Sequence, residues 1–79
     1  MKVQELVGSR VWLKPPNQPE TTGHIRGIPK PVDLRNIESS INASTFTIEL
    51  ASGDVIETSG FNLYKIDHAG YIQESGKRK

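Results

Sequence analysis

The side chains able to do acid–base, nucleophilic or metal chemistry are sparse and scattered. The two histidines, His24 and His68, stand far apart, and there is no cysteine to join them at a metal or to act as a nucleophile. Asp67 and His68 are contiguous, but neighbours on a strand point to opposite faces, so they do not form a ready-made acid–base dyad. No serine-centred nucleophile elbow and no glycine-rich phosphate loop occurs. The pattern implies no catalysis, no cofactor and no metal. Asn42-Ala43-Ser44 fits a glycosylation acceptor triplet, but such triplets arise often by chance.

Chemistry of binding is better represented. Trp12 sits between Arg10 and Lys14 in an alternating stretch. If Val11 and Leu13 face the core, Trp12 faces outward, where an exposed tryptophan is a typical anchor for a partner. The alternative is that the N-terminal turn or the Tyr71-Ile72 region covers it. An aromatic cage for a methylated cation would have to draw on Trp12, Phe61, Tyr64 and Tyr71. A nucleic-acid reading would rest on Arg10, Lys14, His24, Arg26, Lys30 and Arg35, with the basic tail Lys77-Arg78-Lys79. Glu20, Glu38, Glu49, Asp54 and Glu57 dilute that field, and the net charge of +1 leaves no strong basic footprint.

These residues must be carried by a small domain. The 79 residues allow one core, and with 34% hydrophobic residues and no cysteine that core has no covalent staple. No apolar run approaches the roughly 20 residues of a membrane-spanning helix. Lys2, Gln4 and Glu5 interrupt the start, so no signal peptide is expected.

Residues 1–8 place Val3, Leu6 and Val7 at helical spacing before Gly8, enough for one helical turn over an end of the core. Residues 9–14 alternate as a strand that Pro15 and Pro16 end, with a turn over 15–20. Residues 21–28 make a second strand, in which Gly23 and Gly27 mark bends or close backbone approaches and which Pro29 and Pro31 stop. Residues 45–51 give the clearest alternation, with Phe46, Ile48 and Leu50 inward. Ser52-Gly53-Asp54 forms a hairpin turn to a fourth strand at 55–59, and 61–67 supply a fifth. Residues 30–44 are open to two readings: a short helix capped by Asp33 and carrying Leu34, Ile37 and Ile41, or a loop rich in serine and asparagine. Residues 68–79 lose periodicity, and 75–79 read as the start of a linker. The expectation is an all-β domain over 1–74, a five-stranded, strongly bent antiparallel barrel.

Two stretches resemble the motifs of the Sm-like family. Gly8-Ser9-Arg10-Val11 followed by Gly23-His24-Ile25 is similar to the first Sm motif, and Ser59-Gly60-Phe61-Asn62-Leu63-Tyr64-Lys65-Ile66 to the second. The resemblance covers residues 6–67. It departs from the family at the uridine pocket: Ser59 stands where an arginine is usual, and Asp33 and Asn36 do not fall at the spacing of the usual Asp and Asn. Divergent Sm-like domains of this description occur at the N-terminus of eukaryotic scaffold proteins that enhance mRNA decapping.

That resemblance implies a monomeric, non-enzymatic module of cytoplasmic mRNP granules that binds short leucine-rich segments of decapping-related proteins. The alternatives are an RNA-binding Sm-like domain and a Tudor-like reader of methylated residues. The outer faces of the second to fourth strands, with Arg26, Thr47, Glu49, Ile56 and Thr58 as lining and Trp12 as anchor, are the expected partner surface.

Overall fold

The computed structural model describes residues 2–14, 17–68 and 71–74. Pro15, Pro16 and the linker expected at 75–79 lie outside the described residues. Six strands form one antiparallel sheet: β1 (Arg10–Leu13), β2 (Thr21–Lys30), β3 (Thr45–Leu50), β4 (Val55–Ser59), β5 (Leu63–His68) and β6 (Tyr71–Glu74). Their order is β4-β3-β2-β1-β5-β6. Two 3-10 turns, Val3–Leu6 and Gly60–Asn62, and one helix, α1 (Ile37–Ala43), complete the described residues. The mostly-β expectation holds. The strand count of five becomes six, because β6 pairs with β5 where sequence periodicity fails, and the ladder has two ends, β4 and β6.

Alternation sets which face of the sheet is buried. Phe46, Ile48 and Leu50 of β3 are buried beside Val11 and Leu13 of β1, Ile25 of β2, and Leu63 and Ile66 of β5. The register stacks them: Val11 stands opposite Gly23 and Ile66, Leu13 opposite Leu63, and Ile25 opposite Ile48. Val3, Leu6 and Ile41 close the core from the helical side. The five residues expected inward from alternation, Val11, Leu13, Phe46, Ile48 and Leu50, are all there.

Glycine is required where backbones crowd. A Cβ on Gly23 would lie 2.6 Å from the Glu49 carbonyl oxygen and 2.7 Å from Ile48 Cγ2, so this position brings β2 onto β3. Gly27 meets no such crowding and marks a bulge instead, since the β2–β3 register shifts between Ile25 and Gly27. β2 also runs two residues further than expected, through Pro29 to Lys30. Proline is tolerated there because the register shifts again between Gly27 and Lys30, so no ladder donor is missed.

Residues 31–44 resolve into a strap and a helix. Asn36, rather than Asp33, caps α1: its side chain accepts from the Ser39 N–H at 2.8 Å. Leu34 therefore lies outside the helix and is 52% exposed. Asp33 serves the other helical piece, where its carboxylate accepts from the Val3 N–H at 3.2 Å and from the Gln4 side chain at 3.0 Å. Ser40 and Ser44, one turn apart on α1, hold the strap from below. Ser40 Oγ accepts from the Leu34 N–H at 2.7 Å, and Ser44 Oγ accepts from the Val32 N–H at 2.9 Å.

Candidate functional site

The outward side of the sheet carries the residues available to a partner. Register places Val55, Glu49, His24, Arg10 and Asp67 in one row across β4, β3, β2, β1 and β5. A second row runs from Thr22 through Trp12 to Lys65. His24 and Arg10 are thus cross-strand neighbours on the outer face, as alternation predicts.

Trp12 is half-buried. The Arg10 guanidinium lies 5.1 Å from its ring centroid and the Lys65 ammonium 4.7 Å. Two cations therefore hold the indole, and at such sites each contact contributes about 0.5–1 kcal/mol. The N-terminal turn packs over the core side and does not cover the ring; the side chains of Tyr71 and Ile72, the other cover considered, are not among those described. Phe61, another ring weighed for a cage, is 55% exposed beside α1, and Phe46 is fully buried.

The remaining expected lining divides between the two faces. Arg26 and Glu49 are exposed and meet in an ion pair, Nε to Oε1 3.7 Å, an arrangement that contributes only about 0–1 kcal/mol when solvated. Thr47 is half-buried and stands opposite Glu57. Ile56 and Thr58 need correction. They stand opposite Ile48 and Phe46, on the core side, and Ile56 packs against the core. Val55, 51% exposed, takes the outward place that Ile56 was expected to hold. Thr58 Oγ1 accepts from the Asn62 side chain at 2.9 Å, tying β4 to the following 3-10 turn.

The potentially reactive groups are placed as follows. Ser9 Oγ lies 2.9 Å from His68 Nδ1, and Ser9 is only 5% exposed. Asp67 stands in register with Arg10. No group of three or more His, Asp or Glu gathers at metal-binding distance among the described residues. The Asn42-Ala43-Ser44 triplet closes α1, with Asn42 Oδ1 buried and without a hydrogen-bond partner and Ser44 buried. No helix among the described residues is long and apolar enough to cross a membrane.

An open edge for an extended peptide was expected, but the sequence alone does not say that β4 is that edge. β4 is the end of the ladder, its register against β3 runs without a bulge from Thr45–Ser59 to Glu49–Val55, and it contains neither lysine nor proline. The sequence Val55-Ile56-Glu57-Thr58-Ser59 carries little signal of this, since natural edges usually hold lysine or proline and this one holds only Glu57.

No family model matches the chain, and no curated protein and no solved structure matches it.

Proposed function

We propose that this chain is a non-catalytic interaction domain with an Sm-like barrel, binding short apolar segments of partner proteins, helical or extended. The supporting observation is the apolar surface left on both faces of the β4 end of the sheet and in the turn that follows it. Val55 and Phe61 are more than half exposed, and Ile56 is only partly covered where the ladder ends. Curling into a barrel is supported by a length argument. β4 and β5 stand four places apart in the strand order, about 19 Å in a flat sheet at the usual strand spacing. Only the 3-10 turn Gly60–Asn62 connects them, and a 3-10 turn rises about 2 Å per residue. A rolled sheet brings the two strands to that corner.

The Sm-like resemblance adds the cellular setting: leucine-rich segments of decapping-related proteins, met by a monomer in cytoplasmic mRNP granules. A groove on so small a domain supports binding on the order of micromolar, about 8 kcal/mol, after ordering is subtracted. The test is a titration of isotope-labelled domain with leucine-rich helical peptides and with their leucine-to-alanine versions. Saturable amide shifts on one face, retained at high salt and lost with the alanine peptides, are expected. Absence of binding to every peptide sinks the reading.

A second reading, RNA binding, draws on Trp12 with Arg10 and Lys65 around it, since bases stack on such rings and cations meet phosphates. With Ser59 in place of the pocket arginine, tight oligouridine binding at physiological salt is not expected. Micromolar affinity with a uridine preference would favour the RNA reading. Weak binding that vanishes as salt rises would not, because basic side chains alone produce it.

A further inference from the structure

We infer that β4 is a strand-addition site for an extended partner segment that alternates apolar and basic residues. The inference rests on the peptide-binding reading and names how and what the domain binds.

The edge is open in the right direction. The Leu50 N–H donates to the Asp54 carbonyl at 2.7 Å, which makes Leu50 and Asp54 a hydrogen-bonded pair at the base of the β3–β4 hairpin. Antiparallel pairs alternate between bonded and non-bonded. Ile56 and Thr58 therefore spend their amides on β3, while Val55, Glu57 and Ser59 turn theirs to the outer edge. No other strand pairs with that edge among the described residues.

The usual devices that close an edge to other chains are a bulge, a proline, a charged side chain (lysine above all) or a very short strand. β4 has five residues, no bulge and no proline, and its one charge is Glu57. By contrast, β2 carries register shifts and a proline within the sheet. A strand laid on β4 would extend the ladder with main-chain bonds, and its alternate side chains would fall on the two faces.

Those faces define the chemistry of the occupant. A residue opposite Ile56 points to the core side, where Ile56 and Thr58 are half-buried, and an apolar side chain continues that surface. A residue opposite Glu57 points outward. The charges at this edge are Asp54 and Glu57, with no cation on the strand. A basic residue there is attracted, and an acidic one directly opposite Glu57 is repelled. The single glutamate makes the edge selective. A second copy pairing antiparallel about Glu57 would set the two Glu57 side chains opposite one another, so the charge favours a basic segment of a different protein.

The experiment uses the full chain, isotope-labelled, and a synthetic extended peptide alternating valine and lysine. The expected result is saturable shifts and slowed solvent exchange at the Val55 and Glu57 amides, with no change of oligomeric state. The same peptide N-methylated at alternate residues, on the edge facing β4, should lose binding, and a valine–glutamate peptide should bind at least about tenfold more weakly. Glu57→Lys should reverse that preference. Glu57→Pro removes only an outward amide, so it should abolish binding while the β3–β4 ladder persists. Shifts that avoid β4, or that survive N-methylation, overturn the inference, as does dimerisation through β4 without peptide. If leucine-rich helical peptides bind on another face while the valine–lysine peptide leaves β4 untouched, strand addition fails and the interaction-domain reading stands. If no peptide of either kind binds, both fail.

Discussion

At the scale of single residues, two positions are dictated by neighbours that local sequence does not reveal. A Cβ on Gly60 would overlap the Ile41 carbonyl oxygen, with Phe46 Cε1 only 2.6 Å away. Gly60→Ala must therefore push the Gly60–Asn62 turn off α1. The expected outcome is a clear loss of thermal stability with exchange rising at Ser44 and Gly60, whose backbones are joined by a 2.9 Å bond, read by calorimetry and hydrogen exchange. Tyr64 donates its hydroxyl to the Glu20 carboxylate. Desolvation, that hydrogen bond and the Glu20 charge, in that order, push its pKa up to about 12. Its folded pKa lies above the ordinary value, so the associated stability is present below about pH 10 and is lost as pH rises towards 12. Ultraviolet titration should show one tyrosine ionising late, and Tyr64→Phe should remove that late step. Residue facing was legible in β3 because strict alternation leaves one solution. It was not legible at Val55-Ile56, where two adjacent aliphatics offer no parity. Parity there is set by the hairpin, whose Gly53 adopts a positive φ of 96° and fixes how many residues the turn consumes.

At the scale of elements, the strands with a buried and a wet face announced themselves, whereas segments whose partners are distant in sequence did not. β6 is four residues long and is defined by pairing with β5. The strap at 31–36 has no pattern of its own, because its backbone bonds go to Ser40 and Ser44 side chains on the helix that follows. Asp33 looked like a helix cap and is one, but for a turn 30 positions earlier in the chain. Removing one serine hydroxyl should therefore act on the strap first. Ser40→Ala leaves the Leu34 N–H without its acceptor, a loss of roughly 1–3 kcal/mol if that amide stays buried. Hydrogen exchange should accelerate at Leu34, with the amides of β3 unchanged unless stability falls globally.

At the scale of the whole molecule, stability depends on a core with few members, in which Phe46 is the largest fully buried side chain. Phe46→Ala should cost roughly 3–5 kcal/mol, a large part of what a domain this small possesses. Chemical denaturation should show a strongly lowered midpoint, or no folded baseline at all. A nearly unchanged midpoint would contradict the packing described. The same core is assembled from pairings of very different reach. β3 and β4 meet across the short Ala51–Asp54 connection, and β5 and β6 are also close in the chain. β1 instead joins β5 through Leu13 and Leu63, 50 positions apart. The entropy of closing so long a loop must be met before those contacts reward it, so the three hairpins, β1–β2, β3–β4 and β5–β6, are the natural early structures and the meeting of β1 with β5 the late, rate-limiting event. Until that meeting, β1 and β5 both expose unpaired backbone, and the interval of greatest exposure to misassembly lies in the approach to the native state rather than within it.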